Sequence, residues 1–342
     1  MRPPETPSPS LALIVIDPLR EASSFASIDD RSALARIASL GRISRLQHTP
    51  EHSVAALRRW EVALLDALGL ADQSDELPSA AIAQSGELRA MVPATECWAY
   101  LSCVHFAAGM NDVAASTLVG AGALTEQDRE EIAATLAPHL ASAGYELHAM
   151  GAEWRVRCPR RLDARTLPPA IAFEASLKDA LPCGTDAAEL RRLMTEMQML
   201  LHEHPVNLRR ARTQRPAANG TWMWSVANLT RGPSSARLPV AFGDESYLKG
   251  LYLLHSQTVR AEPFDAATLR EAARVHPATV AIVKPPTVAA LDADWLRPSL
   301  DALRAGSFRR LTVYFDRWRL VLDRRDLMRF WRRPLPQSQW PT

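Results

Sequence analysis

Leu11-Ala12-Leu13-Ile14-Val15-Ile16 is an unbroken apolar run closed by Asp17-Pro18. A strand that reads as continuously hydrophobic is one buried on both faces, as in a parallel sheet covered by helices. The period then changes. Between residues 32 and 45, Leu34, Ile37, Leu40 and Ile43 recur at helical spacing, and between 54 and 68 Leu57, Trp60, Leu64 and Leu68 do the same. A strand followed by helices is the opening of an α/β protein.

Residues 71 to 93 are more polar and carry Pro78, Gly86 and Pro93, which predicts a loop or lobe boundary. A second lobe then begins at the apolar segment from 97 to 106. Thr125 and Asp128 form a capping pattern for a helix ended by Gly144, and residues 147 to 158 read as one strand centred on Trp154-Arg155-Val156. Asp186 and Glu189 open a helix whose Leu190, Leu193, Met194, Met197 and Leu201 share one face, and Pro205 stops it. Residues 221 to 226 suit a strand and 231 to 239 a linker. Helices are predicted over 247–256 and 266–275, and a buried strand over 279–283. The β-rich runs 311–315 and 318–322, with only Asp316-Arg317 between them, call for a two-residue hairpin.

The chain has 342 residues, 47% of them apolar and 23% charged, with a formal net charge of +2. That length suits two lobes, and that balance excludes a disordered chain, a membrane protein and an acidic tail. Only Lys178, Lys249 and Lys284 are lysines among the 40 basic residues, a bias that fits a GC-rich bacterial genome. No apolar stretch is long enough for a signal peptide or a membrane span, so the expected location is the cytoplasm. Cys97, Cys103, Cys158 and Cys183 lack the close pairing of a zinc site and read as reduced, small apolar fillers.

The most informative segment lies between residues 196 and 224. It holds His204-Pro205-x-Asn207-x-x-Arg210, then Ala218-Asn219-x-x-Trp222 and Trp224. This block resembles the helix, turn and strand of the archaeal-type, cofactor-independent phosphoglycerate mutases of the alkaline phosphatase superfamily, and it is more similar still to the RpfE-type bacterial regulatory proteins. Cys103-Val104-His105-Phe106, Leu181-Pro182-Cys183-Gly184 and the segment from Leu327 to Pro334 extend the likeness. The resemblance implies an α/β fold: an alkaline-phosphatase-like core remnant, discontinuous over 11–95 and 232–342, with an inserted α+β lid-like lobe over 96–231; the proline-rich residues 1–10 read as a disordered leader. It also implies an anion site at the turn, with Arg210 as a bidentate phosphate contact beside His204, Asn207 and Asn219.

Departures from the pattern weigh against catalysis. Two-metal phosphoryl transfer needs clustered carboxylates and histidines with a nucleophile. The mutases mark these with an Asp-Gly near the first strand and with Asp-His and Gly-His pairs in the last third. Here Asp17 alone keeps its place, and no Asp-His or Gly-His pair occurs. His202-Glu203-His204 does not replace them, because helical residues two apart point to different faces. The glycines that follow Trp224 in the RpfE-type pattern are replaced by Ser225-Val226-Ala227. The expected protein therefore has no catalytic residues, no metal and no cofactor. It is a regulatory or scaffolding pseudoenzyme that takes a phosphorylated metabolite or nucleotide; the alternative is an active metal-dependent phosphomutase or phosphoesterase. Between 309 and 333, nine arginines face three aspartates, and Arg324, Arg325, Arg332 and Arg333 are the expected contacts for an acidic protein partner, ranked before nucleic acid.

Overall fold

The computed structural model describes residues 9–16, 32–46, 55–108, 113–151, 153–174, 177–329 and 331–333. Asp17-Pro18, Val54 and nearly all of the expected leader lie outside them. Two sheets organise the chain. The first is built from β1 (Ser10–Val15), β2 (Arg42–Arg45), β8 (Val240–Phe242), β9 (Ala278–Val283), β10 (Arg310–Phe315) and β11 (Trp318–Asp323), in the order β2-β11-β10-β1-β9-β8. β8, β9, β1 and β10 run parallel, and β11 and β2 add an antiparallel edge.

Strand alternation divides the apolar run of β1 between two cores. Leu11, Leu13 and Val15 pack with α1 (Ala33–Leu40) and residues of the helices at 266–275 and 297–305, together with Leu311, Val313 and Phe315 of β10. Ile14 points the other way, into a larger cluster with Tyr314, α2 (Arg59–Leu68), α3 (Ser79–Leu88) and the helix at 246–254. The sheet is thus covered on both faces, which is why its central strand can be wholly apolar.

The second sheet comprises β3 (Cys97–Ala108), β4 (Val113–Thr117), β5 (Glu146–Met150), β6 (Glu153–Cys158) and β7 (Gly220–Asn228). β3 is its spine, pairing β7 along one edge and β6 and then β4 along the other. α4 (Glu126–Ser142) is opened by the expected box, with Thr125 Oγ1 accepting from Asp128 N at 3.1 Å. The short helices α5 (Pro169–Ala172) and α6 (Leu177–Ala180) precede α7 (Ala187–His202), whose Leu190, Leu193, Met194, Met197 and Leu201 are buried as their spacing required. α8 (Pro205–Arg212) follows, then α9 (Ser246–Leu254) and α10 (Ala266–Val275). Buried residues of this sheet, among them Trp98, Tyr100 and Trp222, belong to the same apolar cluster as Ile14.

Four sequence expectations need correction. Ile43 is not helical: α1 ends at Gly41, where an added Cβ would lie 2.4 Å from Val321 O, and the chain turns there into β2. Residues 147 to 158 form two strands, β5 and β6, joined through Gly151 at φ +57°. Pro205 is the first residue of a new helix, where its missing N–H is harmless. The predicted loop at 71–93 contains α3, buried over most of its length. The Asp316-Arg317 hairpin forms as predicted, with Asp316 at φ +49° standing in for the favoured glycine.

Candidate functional site

In open α/β sheets ligands bind outside the carboxyl ends of the strands. At that edge stand Gly243-Asp244-Glu245 after β8, Lys284 after β9, Ile16 after β1 and Asp316 after β10. The ammonium of Lys284 lies 3.0 Å from Asp244 Oδ1 and 2.6 Å from Glu245 Oε1. Burial raises the Glu245 carboxyl above its ordinary range, with Lys284 opposing. At Asp244 burial acts in the same sense, but Lys284 outweighs it and the carboxyl is lowered. Gly243 permits this packing, because a Cβ there would fall 2.7 Å from Glu245 Oε2.

A cleft of about 340 Å³ opens at the same edge, between the ends of β1 and β10, the start of α2, and Val119, Pro168, Ala170 and Ile171 from the 96–231 segment. Its walls are mostly apolar, with the Trp60 indole and two arginines among them. Arg58 is held on every side. Its Nε donates to Glu61 Oε1 at 3.1 Å, Nη2 donates to Tyr100 Oη at 2.7 Å, and Nη1 donates to Glu153. Its guanidinium carbon lies 4.8 Å from the Tyr100 ring centre and 5.3 Å from that of Trp224, which stack on each other.

Glu61 is fully buried and also accepts from Arg58 N at 2.7 Å and Ser79 Oγ at 2.6 Å. Burial raises its carboxyl against the pull of Arg58. At Glu153, burial is outweighed by Arg58 and Arg155, and the carboxyl is lowered. Arg59 donates to Asp316 at 3.0 Å and to Glu174. The arginine charges of the cleft are therefore matched by carboxylates of the chain.

The expected anion site is arranged differently. His204 caps α8, its Nδ1 accepting from Val206 N at 3.3 Å while Nε2 lies 2.9 Å from Thr135 Oγ1. Accepting at Nδ1 places the proton of the neutral ring on Nε2, which donates to Thr135. Asn207 donates to Leu201 O and Ala218 O and accepts from Ala218 N. Asn219 exchanges two hydrogen bonds with the Phe106 backbone, both at 2.8 Å. Arg210 is 2% exposed, and its guanidinium donates to Pro216 O, Ala123 O, Gly122 O and Asp128 Oδ2. The polar groups of all four are thus engaged within the chain: Arg210 ties α8 to residues 122–128, His204 ties it to Thr135 of α4, Asn207 to Ala218, and Asn219 is tied to Phe106 of β3. A phosphate at Arg210 would have to displace these backbone carbonyls.

Arg324, Arg325, Arg332 and Arg333 are all exposed. Asp323 below them is already bound by Arg310 at 2.7 Å and Arg42 at 3.1 Å. Among the described residues no group of three or more His, Cys, Asp and Glu is placed to hold a metal ion, and no helix is long and apolar enough to cross a membrane.

Sequence reasoning missed Arg58, Glu61, Glu153, Asp244, Glu245 and Lys284. A charged residue inside an apolar frame, as in Trp60-Glu61-Val62, was the available signal; a buried carboxylate needs a partner.

No family model matches the chain. A stretch of 81 residues, 24% of the chain, is 36% identical to the 2,3-bisphosphoglycerate-independent phosphoglycerate mutase of Methanothrix thermoacetophila, and it spans 20% of that enzyme's length. Among solved structures, the cofactor-independent phosphoglycerate mutase of Thermoplasma acidophilum is similar over 92% of this chain and 89% of its own, at 14% identity and a TM-score of 0.39. The PH0037 protein of Pyrococcus horikoshii is similar over 86% of this chain and 74% of its own, also at 14% identity and 0.39.

Proposed function

We propose that this chain is a regulatory or scaffolding protein of the RpfE type, with a phosphoglycerate-mutase-like architecture and no mutase turnover. The observation that carries the reading is the ammonium of Lys284 between Asp244 and Glu245 at the carboxyl edge of the parallel sheet. A carboxylate pair at such an edge suits a divalent ion, and here a cation of the chain itself stands between the two. The sequence block from 196 to 224 and the 81-residue likeness to a phosphoglycerate mutase support the architecture.

In this reading the small-molecule site is the cleft, and a phosphorylated metabolite or nucleotide entering it draws Arg59 away from Asp316 and Glu174. An acidic protein docks on Arg324, Arg325, Arg332 and Arg333, in the cytoplasm of a bacterium. The test is interconversion of 2- and 3-phosphoglycerate by the whole chain with Mn²⁺ supplied. The reading expects no conversion above the protein-free rate; conversion abolished by a chelator would establish the enzyme alternative.

A further inference from the structure

We propose that Cys97 and Cys158 are a redox-modification site, closing into a reversible cross-strand disulfide when the chain meets a peroxide. The two residues lie directly opposite each other, Cys97 opening β3 and Cys158 closing β6 in antiparallel register. Directly opposed residues bring their Cβ atoms to about 4.5–5.5 Å, whereas a disulfide needs about 3.5–4.5 Å. The strand ends must draw together by roughly an ångström, a closure that leaves the bond easy to reduce.

Directly opposed residues of a strand pair project to the same face, and both thiols are buried there, Cys97 1% and Cys158 7% exposed, so a small peroxide is the oxidant that could reach them. Cys97 is lowered from the ordinary thiol range, first by the hydrogen bond from Cys158 and also by the Leu162 backbone, Arg161 and Arg160, against the opposing effect of burial. Cys158 is raised by that same bond and by burial. Of the two, Cys97 is the more acidic thiol and so the one that loses its proton first. At Cys103 burial outweighs the opposing charge of Arg210 and pushes the thiol up to about 12.

The step balances with hydrogen peroxide as oxidant. The Cys97 thiolate attacks one peroxide oxygen, forming an S–O bond, breaking the O–O bond and releasing hydroxide, which takes a proton to become water. Cys158, deprotonated, then attacks the Cys97 sulfur and expels the second oxygen, which also leaves as water. Two thiols lose two electrons and one peroxide becomes two waters. Cys97 also pairs across β7 with Asn228, so the bond would staple the end of β6 to the point where β3, β6 and β7 meet.

The experiment treats the whole folded chain with hydrogen peroxide, blocks remaining thiols with N-ethylmaleimide under denaturing conditions, and maps peptides by mass. The expected result is a joined pair of peptides carrying Cys97 and Cys158, about 2 Da lighter than their sum, with maleimide on Cys103 and restoration of both thiols by dithiothreitol. Cys103→Ser should leave the linkage intact, whereas Cys158→Ser should leave Cys97 as a sulfenic or more oxidised acid. Maleimide on both Cys97 and Cys158 after treatment, or a linkage that joins either of them to Cys183, would overturn the proposal; the wild-type map decides this even if a serine variant fails to fold.

Discussion

Gly86 of α3 and Gly250 of α9 sit against each other where the two helices cross. A Cβ on Gly86 would lie 1.9 Å from Ser246 O and 2.6 Å from Gly250 N, and one on Gly250 would lie 1.9 Å from Ile82 O. These are backbone atoms that cannot step aside as a side chain would. We therefore expect Gly86→Ala and Gly250→Ala each to destabilise the fold by about 3 kcal/mol or more, at the upper end of overpacking effects. Denaturant unfolding checks this, and an alanine variant as stable as the wild type would show that the helices separate freely.

His204 supplies a pH-dependent contribution to stability. Burial lowers its pKa from the ordinary value of 6.5, with Glu131 opposing and Arg209 acting in the same direction as burial. The folded state then binds fewer protons than the unfolded state, so the contribution is present above pH 6.5 and is lost as the pH falls through the lowered value. His255, likewise lowered by burial, adds a second contribution of the same sign. In His204→Asn, which keeps a capping oxygen, the fall in stability between pH 7 and pH 5 should be shallower than in the wild type. An unchanged slope would remove His204 from the account.

Arg210 should matter to the fold. Arg210→Ala leaves the Gly122, Ala123 and Pro216 carbonyls without their guanidinium donor and Asp128 with Arg209 as its one arginine, a loss of about 3 kcal/mol. Arg210→Lys should rescue little, since an ammonium cannot reproduce the fork. A stable Arg210→Ala protein that has lost only phosphate affinity would return the residue to the anion role.

The exposed arginines make the opposite prediction. Replacing Arg324, Arg325, Arg332 and Arg333 with Gln should leave the melting temperature nearly unchanged while weakening co-purification of an acidic protein, more so at low salt than at high salt. Undiminished recovery by the folded variant would make the segment a solvated surface; loss of salt-dependent DNA retention instead would make the partner a nucleic acid.

How far the sequence was legible follows from how local each signal was. The run at Leu11 and the five-residue face of α7 announce themselves because burial imposes a period on consecutive residues. α3 did not, because Ala80, Ala81, Ile82 and Ala83 are buried all round and its Gly86 reads as a breaker until α9 is seen against it. The motif His204 to Arg210 was legible as a unit, but its hydrogen bonds to Thr135, to residues 122–128 and to 216–218 were not, because those partners lie far away or beyond a turn in the sequence. The rim pairs Lys284 with residues 39 and 40 positions earlier, and Arg58 with one 95 positions later; only the assembled sheets bring these together.

Lys284 stands between Asp244 and Glu245, where a divalent ion would otherwise sit, and calorimetric titration of Mn²⁺ into the whole chain shows whether the ammonium keeps the ion out. The wild type should show no saturable binding at millimolar Mn²⁺, and Lys284→Met, where Asp244 and Glu245 lose their ammonium, should gain about tenfold or more in affinity, the equivalent of roughly 1.4 kcal/mol. Stoichiometric Mn²⁺ binding by the wild type, accompanied by chelator-sensitive interconversion of phosphoglycerates, would contradict it.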